Sequence, residues 1–317
     1  FDFNKIKKIA AIINFNVSNL KDFKGKSNLK TNIDFKINRK YKIKNLAYSI
    51  DAKIPYSEIN FEEKKIIKKY LPEYSDKITF KDLKIKLIKD KINDTVEING
   101  FIKTNNEFDR FDLNLIHDSN KRNFKISGKA DLTNSQINIS QLNYIKDSGE
   151  KSEISFNLNF IPNKYFHVSE AIFLSDKTKI NILELKLNNN FEINDFNKLE
   201  IKTFKNKIKN NDFILKKSKK IIISGELFDA EPLFKSLFKK NKRGIFSKKI
   251  NSEIKINFNN VITGTNDDVS DFGMIATINN GSYEKLSLKG NFTENEIIEM
   301  SIYQIDKDKK TLQVISD

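Results

Sequence analysis

The sequence has no cysteine and no tryptophan, and only two histidines, two methionines, four prolines and ten glycines among 317 residues. Without cysteine there is no disulfide framework, no thiolate metal site and no thiol nucleophile. Two histidines, His117 and His167, exclude a multi-histidine metal centre. Scarce glycine leaves little room for glycine-rich loops that cradle phosphates. No run of 18 apolar residues occurs, and a membrane-spanning helix needs one.

Lys, Ile, Asn and Phe dominate instead. Hydrophobic residues make up 38% of the chain, enough for a real core. Lys and Arg number 57 against 42 Asp and Glu, a net charge of +15 and a pI near 9.5. The dominant residues have A/T-rich codons, so drift toward Lys stands as the alternative to selection for an anionic partner.

The strongest pattern has period two. Ile33, Phe35 and Ile37 alternate with polar residues, as do Leu83, Ile85 and Leu87. The same holds for Phe111, Leu113 and Leu115, for Ile154, Phe156, Leu158 and Phe160, and for Ile254, Ile256 and Phe258. Alternate side chains of a strand point to opposite faces, so each segment has one apolar and one wet face. One wet face implies antiparallel pairing. Polar clusters such as Asp90–Asp94, His117–Asn123 and Lys146–Lys151 supply the turns. Strands of about ten residues, about 33 Å long at 3.3 Å per residue, exceed the usual length. The fold class expected is mainly β, a long antiparallel meander curled into an elongated open groove, taco-like, with two short helices. Residues 1–317 read as one elongated groove region. The first residue is Phe1, and the expectation is a piece of a longer chain with any anchor upstream.

Two segments break the alternation. Over 60–71, Asn60 is placed to cap a helix with Glu63 at its N3 position and Pro72 beyond its end. Over 229–240, Asp229 or Glu231 caps a second helix with Pro232 in its first turn.

Chemistry-bearing constellations are few. His117 and His167 lie 50 residues apart and read as ordinary strand or turn residues. The acidic pairs Asp267–Asp268 and Asp306–Asp308 lack calcium-loop spacing. No catalytic residue, metal site or cofactor is expected, and the chain is not read as an enzyme. Lys239, Lys240, Lys242 and Arg243 follow the second helix; they suit the negative end of its dipole or an anionic headgroup. Nucleic acid would want exposed aromatics or a recognition helix, so no nucleic-acid partner is expected.

The block Ile221–Leu233, reading IIISGELFDAEPL, resembles a recurring feature of AsmA-like proteins of the Gram-negative envelope, where a strand ends in Gly before a short Asp/Pro-initiated helix. The end of the chain, Thr311–Asp317, looks like the strand and Ser-Asp turn leading into that family's C-terminal region. Lys69–Glu73 is similar to a Tyr-Trp-Pro-like element of larger relatives, with Leu71 where those carry Trp. The resemblance implies a periplasmic part anchored in the inner membrane by a segment outside this chain. It implies curled β-sheets whose groove carries phospholipid between the inner and outer membranes, with membrane surface and envelope proteins as further partners.

An apolar sheet face is hidden by closing, by a second layer or by lipid. Two short helices are few covers, which favours a groove holding acyl chains. Its expected wall is Ile33, Phe35 and Ile37 on one strand, Phe111, Leu113 and Leu115 on a second, and Ile154, Phe156, Leu158 and Phe160 on a third. Lys239, Lys240, Lys242 and Arg243 are the expected headgroup contacts. The competing expectation is a non-enzymatic scaffold or chaperone for outer-membrane protein assembly, acting through exposed strand edges.

Overall fold

The computed structural model describes residues 20–316, apart from 42, 62–64, 91–92, 106, 119–122, 162–164, 189–192, 238–250, 266, 281, 293–295 and 307–308. The architecture is mainly β, as alternation predicts: nineteen strands belong to one open, mostly antiparallel sheet, and two form a small separate ladder. Contacts divide the chain into two compact units. Unit 1 holds the described residues up to Asn138 with Lys146–Asp176 and Lys186–Asn194; unit 2 holds Ile139–Ile145, Lys177–Leu185 and Asp195 onward.

In unit 1, β1 (Leu20–Gly25) and β2 (Asn28–Ile37) pair with successive stretches of the 19-residue β3 (Ile43–Phe61). The meander continues through β4 (Lys77–Lys89), β5 (Asn93–Lys103), β6 (Asp109–Asp118) and β7 (Asn123–Asp131), each antiparallel to the last. β8 (Ile137–Ile139) and β9 (Tyr144–Lys146) form the small ladder, with a 3-10 turn between them; Ile139–Ile145 count with unit 2. The sheet resumes with β10 (Ser152–Ile161) on β7 and β11 (Tyr165–Ser175) on β10.

Unit 2 takes in most of β12 (Thr178–Leu187) and, after the short β13 (Ile193–Asp195), runs through β14 (Lys198–Lys205), β15 (Ile208–Lys217) and β16 (Ile221–Asp229). β17 (Ser252–Ile262) follows, then β18 (Val269–Asn279), β19 (Ser282–Asn291), β20 (Ile297–Asp306) and β21 (Lys309–Ser316). One pairing departs from the antiparallel expectation: β16 and β17 are parallel. A parallel pair needs a long crossover, and the second helix lies between these two strands in sequence.

Both expected helices exist, and residues 62–64 of the first expected span, Glu63 among them, lie outside the described residues. The first, α1, is Lys65–Tyr70, extended by a Leu71 N–H bond to the Ile67 carbonyl at 2.8 Å. Asn60 does not cap it: that residue is still in β3, opposite Lys77 of β4 and Asp22 of β1, and ladder pairing on both sides outweighs a local cap. The second, α2, is Glu231–Leu237, and residues 238–240 of the expected span lie outside the described residues. Asp229 serves its start as expected, Oδ1 accepting the Glu231 N–H at 3.1 Å, and Pro232 sits in the first turn. β16 does not end at Gly225 but runs on to Asp229. A Cβ at Gly225 would lie 2.2 Å from the Asp212 carbonyl and 2.5 Å from Phe213, so glycine is what allows the two strands to approach there.

The core of unit 2 centres on Phe213, Phe228 and Phe258, with ring centroids 5.2–5.7 Å apart, one pair stacked and two edge-on. In unit 1, Leu83, Phe111 and Phe173 are buried, and Phe80 packs on Phe111 at 6.0 Å.

Candidate functional site

The register converts the period-two pattern into rows that cross the sheet. In unit 1, Ala52, Ile85, Ile98, Leu113, Gly128, Phe156 and Ala171 are successive partners from β3 to β11. Beside them run Ile50, Leu87, Val96, Leu115, Ile126, Leu158 and Val168. On the other flank, Phe111, Ala130, Ile154 and Phe173 follow one another. Directly paired residues share a face, so these rows are one apolar surface. The opposite face carries Lys53, Lys84, Asn99, Asp112, Lys129 and Ser155 in one row.

Seven of the ten expected wall residues meet on this surface: Phe111, Leu113 and Leu115 from β6, and Ile154, Phe156, Leu158 and Phe160 from β10. Leu113 and Phe156 close over Gly128 from its two sides; a Cβ there would stand 2.5 Å from one and 2.9 Å from the other. Phe111 is buried at 7% exposure, whereas the other six are half-buried. Ile33, Phe35 and Ile37 lie on β2, a strand whose ten residues are all exposed, and are themselves 50–57% exposed. Ile33 pairs with Tyr48. Among the described residues, α1 is the only α-helix of unit 1.

Unit 2 repeats the scheme. Ile182, Leu199, Leu215, Ile223, Ile256, Met274, Leu288, Met300 and Val314 form one row from β12 to β21. It ends on β21, where Leu312, Val314 and Ile315 are about half exposed.

Two depressions lie on the hydrophilic side instead. One, of about 450 Å³, is walled by Glu97, Asn99, Asp112, Asn114, Ser127 and Lys129, with the row Ile98, Leu113, Gly128 and Phe156 beneath them. The other, of about 500 Å³ in unit 2, mixes Lys255, Asn257, Lys289 and Glu299 with the exposed side chains of Ile275 and Ile315. Short Asn and Ser side chains between longer charged ones leave these hollows.

The apolar surface of unit 1 ends in a polar row that alternation alone does not disclose. Tyr48, Lys89, Asp94, His117, Phe124, Phe160 and Phe166 are successive partners at the strand ends. Lys89 Nζ donates to Asp94 Oδ1 at 2.7 Å, and His117 Nδ1 donates to Asp94 Oδ2 at 3.2 Å. The His117 ring stacks on Phe124 at 4.3 Å, and the aromatic run continues to Phe160 and Phe166. The bond to Asp94 holds the Lys89 ammonium above the usual lysine pKa, and burial does the same for the Tyr48 phenol.

Two further polar clusters are structural. Lys146 is fully buried, and its ammonium donates to the carbonyls of Thr133, Ser135 and Asp147 at 3.0, 2.8 and 2.9 Å. Burial presses its pKa down while Glu150 and Asp109 act the other way. In unit 2, buried Asp229 accepts from Asn143 and Asn210 through Oδ2 at 2.9 and 3.1 Å, and Asn211 Oδ1 accepts the Asp229 N–H. Each of these buried carboxylate or amide groups has its partners, so neither cluster presents an unmet group to a ligand.

Glu231, at the edge of this second cluster, is bonded by Lys235, Lys205 and Asn143, which lower its pKa to about 2 from an ordinary 4.5. The folded state thus gives up this proton more readily than the unfolded one. The stability it contributes is complete above about pH 4.5 and is lost as pH falls toward 2. Thermal melts of the wild type and Glu231→Gln from pH 7 to 2 are expected to converge over that interval; a constant gap between the curves contradicts the assignment.

Lys239, Lys240, Lys242 and Arg243, the expected headgroup contacts, lie outside the described residues. Among the described residues no cluster of three or more His, Asp or Glu side chains could hold a metal ion, and no helix is long and apolar enough to cross a membrane. Comparison with family models, curated proteins and solved structures gives no match.

Proposed function

We propose that the chain is the periplasmic part of an AsmA-like envelope protein and holds phospholipid acyl chains against its apolar sheet face, for transport between inner and outer membrane. The observation that carries this reading is the set of apolar rows of unit 1, mostly half-buried across β3 to β11, with α1 the one α-helix among the described residues of the unit. Such a surface in water is costly at about 25 cal/mol per Å² of apolar area, and hydrocarbon removes that cost without directional chemistry. The groove is elongated and non-enzymatic in this reading. Lys239, Lys240, Lys242 and Arg243 add headgroup attraction that salt screens.

A scaffold or chaperone for outer-membrane protein assembly is the second reading, favoured by one observation. β2 is exposed along its whole length, and an exposed edge can accept another strand.

Photo-crosslinkers at Phe35 and Phe156 separate the two. Capture of phospholipid at Phe156 in cells is expected, with Phe35 at the border of the occupied surface. A folded protein that captures no lipid at either position, and protein at Phe35, gives the scaffold reading the preference.

A further inference from the structure

We infer that β2 is the seat of a homodimer, in which the β2 strands of two copies pair antiparallel about Asn32 and the apolar face of one unit 1 runs on into that of the other. The inference is independent of the acyl-chain reading. It gives the exposed edge a definite occupant, a second copy of this chain.

Edge and phase come first. Among the described residues β2 pairs with β3 alone, and β4 takes the other side of β3. Among those residues, then, the outer N–H and C=O row of β2 is open to a further strand. Leu29 stands opposite Ala52, Thr31 opposite Ile50 and Ile33 opposite Tyr48. Paired residues share a face, so the odd-numbered side chains of β2 extend the apolar rows of unit 1 to this edge. Leu29, Ile33, Phe35 and Ile37 are nevertheless 49–57% exposed, and a strand laid along β2 covers part of that area.

The order of charges selects the occupant. With Asn32 opposite Asn32 of the copy, Asn28–Lys36 pair throughout: Leu29 meets Phe35, Thr31 meets Ile33 and Lys30 meets Asp34. The two-fold axis makes each of these contacts twice. Other registers are worse. A slip of one residue sets the apolar side chains of one copy beside the polar ones of the other. Centring on Ile33 puts Lys30 against Lys36, and centring on Asp34 puts that carboxylate against itself. Centring on Thr31 shortens the ladder and forms no Lys–Asp pair. Opposite charges across a ladder stabilise it and like charges do the reverse. Each chain's own β3 leaves room for these pairs: Asp34 has Ala47 across from it, and Lys30 stands between Asp51 of β3 and Asp34 of the copy. Lys36, already opposite Lys44, meets the neutral Asn28. A single strand edge contributes fewer residues than the roughly 20–30 a side of a standard interface, so the dimer is weak.

Sedimentation equilibrium of the full chain reads the association, and far-UV circular dichroism checks the fold of each variant. The wild type is expected to dimerise with a Kd of about 10–100 μM. Lys30→Asp and Asp34→Lys each set like charges opposite at both symmetric contacts and should weaken association about tenfold. An equimolar mixture of the two variants, and the double variant, restore both Lys–Asp contacts and should associate like the wild type. The chain has no cysteine, so Asn32→Cys puts a single thiol at the two-fold axis, where oxidation should join it to its copy. Asn28→Cys lies about 27 Å from its own copy in this register and should not cross-link. A wild type still monomeric at about 500 μM overturns the inference and leaves the edge to a strand of another protein. Folded single variants that associate like the wild type place the contact away from β2 and overturn it as well. A mixture that stays monomeric, or Asn28→Cys joining as fast as Asn32→Cys, overturns the pairing about Asn32.

Discussion

Lys146→Met is expected to destabilise unit 1 by about 3–5 kcal/mol, the cost of leaving buried carbonyls without a charged donor. The side chain is fully buried, and its ammonium is the common partner of the Thr133, Ser135 and Asp147 carbonyls. Methionine keeps most of the volume and removes all three donors, so packing loss contributes little. The loop it holds is tied elsewhere too: Asp109 accepts the Asn134 N–H and the Ser135 hydroxyl, both at 3.0 Å, and Asn105 donates to the Asn134 carbonyl. These bonds depend on the same loop path, so losing the ammonium loosens them together. The measurement is hydrogen exchange of the amides over 131–152, alongside urea denaturation. Lys129→Met, at an exposed position of β7, is the control. Protection over 131–152 that matches this control shows that the ammonium is dispensable to the loop.

Sequence alternation made the strands and their apolar phase legible. Ile154, Phe156, Leu158 and Phe160 share a face because a strand has period two, and no tertiary knowledge is needed for that. The start of α2 was legible for a similarly local reason: Asp229 and Pro232 act within three residues of each other. What stayed hidden depends on register between distant strands. Asn60 has the spacing of a cap, yet Lys77 and Asp22 claim its backbone for ladders. The parallel pairing of β16 with β17 is invisible in a pattern that reads the same in either direction. His117 looked like a turn residue because its partner Asp94 lies 23 positions earlier and meets it only through β5–β6 pairing. Lys146 sits among polar residues of a loop, and nothing in their order marks it as buried. Phe111 and Phe156 have the same phase and the same neighbours in sequence type; Phe80, brought in by β4, is what distinguishes them.

That last difference sets up the second large effect. Phe156→Glu is expected to leave unit 1 folded while reducing lipid capture at least about tenfold, and Phe111→Glu is expected to unfold the unit. Phe111 is buried beneath Phe80, so a carboxylate there is desolvated without a cation partner and costs several kcal/mol. Phe156 is half-buried, lying over Gly128 beside Leu113 on a face that no helix among the described residues is seen to cover. A glutamate at 156 can turn its carboxylate to water, so the cost falls to about 1–2 kcal/mol, mainly lost contact with Leu113 and Gly128. For an acyl chain the consequence is large, because the charge stands in the middle of the rows and must be dehydrated whenever hydrocarbon covers it. Far-UV circular dichroism and urea midpoints read the fold of each variant; transfer of fluorescent phospholipid between vesicles reads the function. If both variants unfold, the face at Phe156 is a dry core and the acyl-chain reading falls. If Phe156→Glu stays folded and transfers lipid like the wild type, the rows of unit 1 are not the lipid path. A folded Phe156→Glu that has lost transfer, beside an unfolded Phe111→Glu, is the outcome that a solvent-facing apolar surface requires.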